Sequence, residues 1–139
     1  MTMKKVFALL LLAISFVSCD IEGDENSAVL ELGPIHEVTM PTAFKVDSIS
    51  QIMVRYYQPT SCHMFNGFYY DAQANTRTVA IEFLRLNQDN CDTAVDVEPY
   101  EVALNFKPLT AGTYLFKFYS GTDANGEETF VEAEAVVPQ

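Results

Sequence analysis

Tryptophan is absent, histidine occurs twice, and lysine plus arginine number 8 against 19 aspartates and glutamates. The missing tryptophan removes the ring on which antibody-type domains pack their inter-sheet disulfide. A formal charge of −11 makes nucleic acid and anionic membrane surfaces repel the chain, so no nucleic-acid partner is expected. Six glycines and 6 prolines are too few for collagen or a low-complexity polymer, and 10 Phe with 7 Tyr are too aromatic for a disordered tail. The sequence carries no G-x-S-x-G, H-E-x-x-H, Walker loop or dinucleotide fingerprint. His36 and His63 are its two imidazoles, and neither has a recognisable nucleophile or orienting acid nearby in sequence. The expectation is therefore a non-enzymatic protein without catalytic residues, metal or cofactor. A length of 139 residues at 49% hydrophobic content suits one globular domain.

The longest apolar run, residues 6–17, follows Lys4 and Lys5 and precedes Ser18-Cys19, which reads as a secretory signal. Twelve residues at about 1.5 Å each reach about 18 Å, well short of a hydrocarbon core of roughly 30 Å. The tail Phe16-Val17-Ser18-Cys19 resembles a bacterial lipobox, with Phe16 in place of the usual leucine. That resemblance implies a signal peptide over 1–18, lipidation of Cys19, and a lipid bilayer as partner through an N-terminal anchor. An ordinary secreted protein cut nearby is the alternative. Asp20-Ile21-Glu22-Gly23-Asp24-Glu25-Asn26-Ser27 reads as a solvated tether, so 19–34 is assigned to lipidated cysteine and tether and 35–139 to the folded domain. Acidic residues directly behind the cysteine also resemble the export signal of surface lipoproteins in Bacteroidota. This implies an outer-membrane lipoprotein at the cell surface, with the periplasmic face as the alternative.

Period-two alternation broken every 8 to 12 residues predicts an all-β, antiparallel sandwich of about seven strands, with a meander barrel as the competing architecture. The strands are expected at about 35–40, 48–57, 62–71, 76–86, 100–106, 109–118 and 129–137. Inward rows are Ile52, Val54 and Tyr56; Val79, Ile81 and Phe83; Tyr100, Val102, Leu104 and Phe106; and Tyr114, Phe116 and Phe118. Leu109-Thr110-Ala111-Gly112-Thr113-Tyr114 resembles the tyrosine corner of immunoglobulin-like domains, in which the hydroxyl bonds back to the corner backbone.

Cys62 and Cys91 belong to a chain expected to leave the reducing cytosol, and a disulfide is the default for such a pair. Metal binding by Cys62, His63 and Cys91 is the rival, weakened because strand neighbours point to opposite faces. With Gly112-Thr113-Tyr114, the two cysteines resemble those of small Bacteroidota-type lipoproteins carrying an immunoglobulin-like β-sandwich. The resemblance implies fold and location and supplies no catalytic residues.

Three features bear on binding. Among the aromatics of 56–70, Tyr57, Phe65 and Tyr69 are expected to face outward and to form a stacking platform for a glycan or for an envelope protein. Asp92-Thr93-Ala94 and Asp47-Ser48-Ile49 resemble the O-glycosylation acceptor of Bacteroidota, implying Thr93 and Ser48 as acceptors. Asp89, Asp92, Asp96 and Glu98, and separately Asp123, Asn125, Glu127 and Glu128, form acidic loops; the second reads as Asn-Gly turn chemistry rather than as a calcium loop. The expected function is a lipid-anchored interaction module or accessory subunit of the envelope, with an enzyme inhibitor or small hydrolase as the alternative.

Overall fold

A computed structural model describes residues 27–93 and 98–139. Among them there is no helix, and the alternating pattern forms eight strands: β1 (Ala28–Gly33), β2 (Glu37–Thr39), β3 (Ser50–Tyr56), β4 (His63–Gln73), β5 (Thr76–Leu86), β6 (Tyr100–Phe106), β7 (Gly112–Thr122) and β8 (Glu128–Val137). A three-stranded sheet, β2-β3-β6, faces a five-stranded one in which β4, β5, β7 and β8 lie side by side. The remaining strand, β1, shares an edge of β5 with β7. It pairs with residues 81–86 of β5, while β7 pairs with residues 76–79.

The inward rows meet as alternation requires. Ile52, Val54 and Tyr56 of β3, Val79, Ile81 and Phe83 of β5, and Phe116 and Phe118 of β7 are each at most 4% exposed. Phe106 of β6 spans the layers, 4.9 Å from the Phe116 ring and 5.2 Å from Tyr114, both edge-on, and Tyr56 meets Phe83 at 5.5 Å. Burying each such ring stabilises the fold by about 1.5–3 kcal/mol. Tyr100 departs from its expected row: at the first position of β6 it is exposed, stacked over Tyr56 at 5.7 Å. The Tyr114 hydroxyl donates to the Thr110 carbonyl at 2.9 Å, as in a tyrosine corner. Gly112 at the mouth of that corner has φ 141°, a conformation L side chains rarely adopt.

Two features correct the sequence reading. Residues 28–33, assigned to the tether, form β1, so the sandwich begins upstream of Ile35. In addition, β5 and β7 run parallel in an otherwise antiparallel sandwich. The strand expected at 35–40 shrinks to the three residues of β2, and both flanks carry a proline (Pro34 and Pro41), which cannot donate to the ladder.

Cys62 and Cys91 are joined, closing a separation of 29 residues. The link ties the segment after β5 to the start of β4. It is reinforced by Ser61 N–H donating to the Asp92 carbonyl (2.8 Å), by Asp92 N–H donating to Ser61 Oγ (2.9 Å) and by a Thr60–Thr93 bridge. Cys62 is buried, and the ring of its neighbour His63 meets Phe83 at 5.6 Å, so the cross-link is anchored in the core rather than on the surface.

Replacing Cys62 or Cys91 by Ser is expected to destabilise the domain by about 2–4 kcal/mol, and replacing both no more than either alone. Urea unfolding of the three variants checks this, and additive losses would contradict it. At Gly33 an added methyl would collide with the buried Phe83 ring. Gly33→Ala is accordingly expected to lower stability by about 1–3 kcal/mol in the same assay.

Candidate functional site

The sequence-predicted residues fall on separate surfaces. Cys19 lies outside the described residues, as does Asp96. Tyr57 lies just after β3 against His36, ring centroids 4.7 Å apart. Phe65 turns toward the sandwich interior, stacked on Tyr56 at 5.5 Å, while Tyr69 points from the opposite face of β4. The expected three-residue platform is therefore not formed. A bulge between Phe65 and Gly67 is the cause, because one extra residue, Asn66, reverses the alternation along β4. Gly67, with φ 147°, supplies the backbone that the bulge requires.

Thr93 and Ser48 are both exposed; Ser48 lies in a turn ahead of β3 rather than in a strand. His63 is buried, with Nδ1 2.7 Å from Thr60 Oγ1 and Nε2 3.0 Å from Glu31 Oε2, so its ring clamps β1 to β4. With the cysteines joined and both ring nitrogens engaged, Cys62, His63 and Cys91 do not converge on a common ion.

The outer faces of the two sheets differ in chemistry. On the three-stranded sheet, Arg55 is bonded to Glu37 at 2.7 Å and lies opposite Glu101, and Gln51 reaches Asn105 at 3.4 Å, a solvated polar surface. On the five-stranded sheet, register aligns Leu30 with Leu84 and Met64, Tyr69 with Ala80, and Tyr119 with Phe130. Leu30 is 58% exposed, Leu32 53%, Met64 46% and Tyr69 41%. A depression of about 210 Å³ lies among Leu32, Tyr69, Ala80, Tyr119 and Phe130, with Thr78 and Glu128 in its wall, and Glu82, opposite Leu32 in the register, stands between it and the row Leu30, Leu84 and Met64. Lys117 is held over the Phe130 ring at 4.9 Å, with Glu132 at 4.0 Å from its Nζ.

A second concavity opens between the layers. Three strands cannot cover five, and the inner side of β4 beyond the bulge stays partly open. A cleft of about 620 Å³ lies there between Phe68 and Tyr70 of β4, Arg77 of β5, Asn105 and Phe106 of β6, and Tyr114. Burial raises the Tyr70 phenol above its ordinary pKa, against the opposing pull of the Arg77 guanidinium. That guanidinium lies over the Tyr114 ring at 5.0 Å and donates to the carbonyls of Ala74 (2.8 Å) and Thr76 (2.9 Å). Sequence reading missed this site, since its walls come from four strands and the corner of residues 107–110.

Among family models, that of the ORF11 beta-sandwich domain matches residues 52–132, from β3 into β8. Neither the curated proteins nor the solved structures give a match.

The acidic loop joining β7 to β8 is organised as a turn. Asp123 Oδ1 accepts the backbone N–H groups of Asn125 (2.8 Å) and Glu127 (3.0 Å), and Gly126 follows with φ 82°. The Glu127 N–H, and after it that of Asn125, hold the Asp123 carboxyl below the ordinary aspartate pKa. A depressed folded-state pKa contributes stability that is present above the unfolded-state value and is lost as pH falls through the folded one. NMR titration is expected to place the Asp123 midpoint below that of an unfolded aspartate, with the Glu127 amide shift following the same curve. An ordinary midpoint would contradict the turn assignment.

Proposed function

We propose that this chain, which belongs to the ORF11 beta-sandwich domain family, is a lipid-anchored, non-enzymatic interaction module of the cell envelope. It is held to the outer membrane through Cys19, displayed at the cell surface, and docks another envelope protein on the outer face of its five-stranded sheet. The observation that carries this reading is the contrast between the two sheet faces. Leu30, Leu32, Met64 and Tyr69 stand exposed on one, around Glu82, while the other carries the Arg55–Glu37 ion pair, Glu101, Gln51 and Asn105. Single exposed apolar residues are ordinary, whereas several large ones gathered on one sheet face are characteristic of a protein contact. Tyr69, Tyr119 and Phe130 supply the rigid aromatic area that anchors interfaces, and the glutamates around them favour a partner with a basic rim. The anchor follows from the lipobox-like tail ending at Cys19, and the acidic stretch behind it supports display at the surface.

A photocrosslinking side chain at position 69, introduced into the full chain in cells that make it, is expected to give a discrete adduct. The same group at position 101, on the polar sheet, is expected to give none, and Leu32→Glu is expected to remove the position-69 adduct. Equal adducts at both positions, or none at either, would overturn the assignment of the face. Intact mass of the membrane-extracted chain is expected to show acylated Cys19, with Cys19→Ala found in the soluble fraction; an unmodified cysteine would reject the anchor.

A further inference from the structure

The edges of the two sheets are finished differently. Strands β1 and β2, six and three residues long, are closed by Pro34 and Pro41, and β6 runs between Pro99 and Pro108. The free edge of β4 is interrupted by the bulge between Phe65 and Gly67. Short length, proline and bulges are the usual means of blocking a sheet edge. Strand β8 has none of them. Over Glu128–Val137 it holds ten residues without proline or glycine, and among the described residues it pairs with β7 alone; the register shift between the two falls in β7, at Ser120. Every second residue of an edge strand turns its N–H and C=O away from its neighbour, so β8 offers a row of unpaired backbone groups.

The side chains of β8 select the strand that can take that row. By alternation Glu128, Phe130, Glu132 and Glu134 share the outer face, where Lys117 reaches Glu132 at 4.0 Å. Among the described residues no cation lies within ion-pair distance of Glu128 or Glu134. These glutamates disfavour a second copy of the chain. Antiparallel pairing of two β8 edges sets Glu128 against Glu134 when centred on Val131, Glu132 against its own copy when centred on Glu132, and Glu132 against Glu134 when centred on Ala133. Like charges directly opposite destabilise a strand pair, and lysine or arginine in the same places reverses the sign. On the inner face, Val131 is 48% exposed although its register partner Phe118 is fully buried, so the smaller sheet stops short of this part of β8. A strand laid beside it brings an apolar side chain over Val131.

We propose that an extended segment of a partner protein, alternating lysine or arginine with apolar residues, adds to the free edge of β8 as a further strand of the larger sheet. Main-chain hydrogen bonds hold it, its basic side chains lie against Glu128 and Glu134, and an apolar one lies against Val131. This rests on the reading of the larger sheet as the docking layer and names the element by which the partner docks. Glu128 and Phe130 belong both to this edge and to the depression on the outer face.

The test titrates the purified mature chain, isotope-labelled for NMR, with an acetylated and amidated peptide that alternates lysine and valine over about seven residues, an ordinary strand length. Two control peptides have the same length, one alternating glutamate with valine and one carrying its lysines and valines in separate blocks. Saturable binding of the alternating basic peptide is expected, with slowed hydrogen exchange at every second amide of β8. The double variant Glu128→Lys, Glu134→Lys is expected to weaken it about tenfold at unchanged melting temperature, since both side chains are exposed. No binding, equal binding of the block peptide, protection elsewhere than on β8, or indifference to the double variant with the fold intact would overturn the proposal. Self-association of the wild-type chain with the same amides protected would overturn it in favour of a second copy. The position-69 adduct in cells reads the docking layer separately: with that adduct present and no peptide bound, the strand addition fails and the reading of the layer stands.

Discussion

Everything exposed on this domain follows from a mismatch between its layers: five strands on one side are faced by three on the other. The middle of the five-stranded sheet is sealed by β3 and β6 through Phe106, Tyr56 and their partners, and buried there to the limit. Toward β4 no covering strand remains. The fold responds with aromatic side chains that cover one another, Phe65 on Tyr56 at 5.5 Å and Phe68 edge-on to Phe65 at 5.6 Å. Where that self-covering ends, at Tyr70 and Arg77, the interior stands open to solvent as a cleft. Rings are suited to this boundary because they bury a large area with few rotatable bonds, so ordering them costs less entropy than ordering long aliphatic chains.

A second consequence concerns β1. Residues 81–86 of β5 need a partner on the edge that β7 reaches only at residues 76–79, and β1 fills the gap. Its inner side carries Glu31, which takes His63 at 3.0 Å and Arg85 at 3.3 Å, and Gly33, which makes room for Phe83. Its outer side then has to present Leu30 and Leu32 to solvent. The exposed leucines are thus the other half of a strand whose inner half closes the sheet. The residues proposed as the protein contact cannot be moved without moving a structural strand.

Much of this was legible from alternation alone. The rows at 52–56, 79–83 and 116–118 lie where period two puts them, because strands flanked by turn residues have few other registers that hide every apolar side chain. The cysteine pair and the hydroxyl bond of Tyr114 were legible for similar reasons, one from compartment and the other from the spacing Leu109 to Tyr114. Strand β1 was not, since its Val29, Leu30 and Leu32 follow directly on an acidic stretch and resemble the end of a tether. The binding platform failed at a single residue. Counting along β4 puts Phe65 and Tyr69 on one face, and the bulge at Asn66 puts them on opposite faces. A bulge leaves little trace beyond a glycine, and the cleft leaves none, because it is set by which strands lack a cover in the other layer.

The central claim is that the apolar outer face of the five-stranded sheet is a contact surface in the envelope and the polar face of the smaller sheet is not. Hydroxyl-radical footprinting of intact cells against the purified mature chain compares the two directly, since Met64, Tyr69, Tyr119 and Phe130 report on one face and Met53 on the other. The account predicts protection of the first set in cells, with Met53 labelled equally in both samples. Equal labelling of both faces in cells and in solution would contradict it.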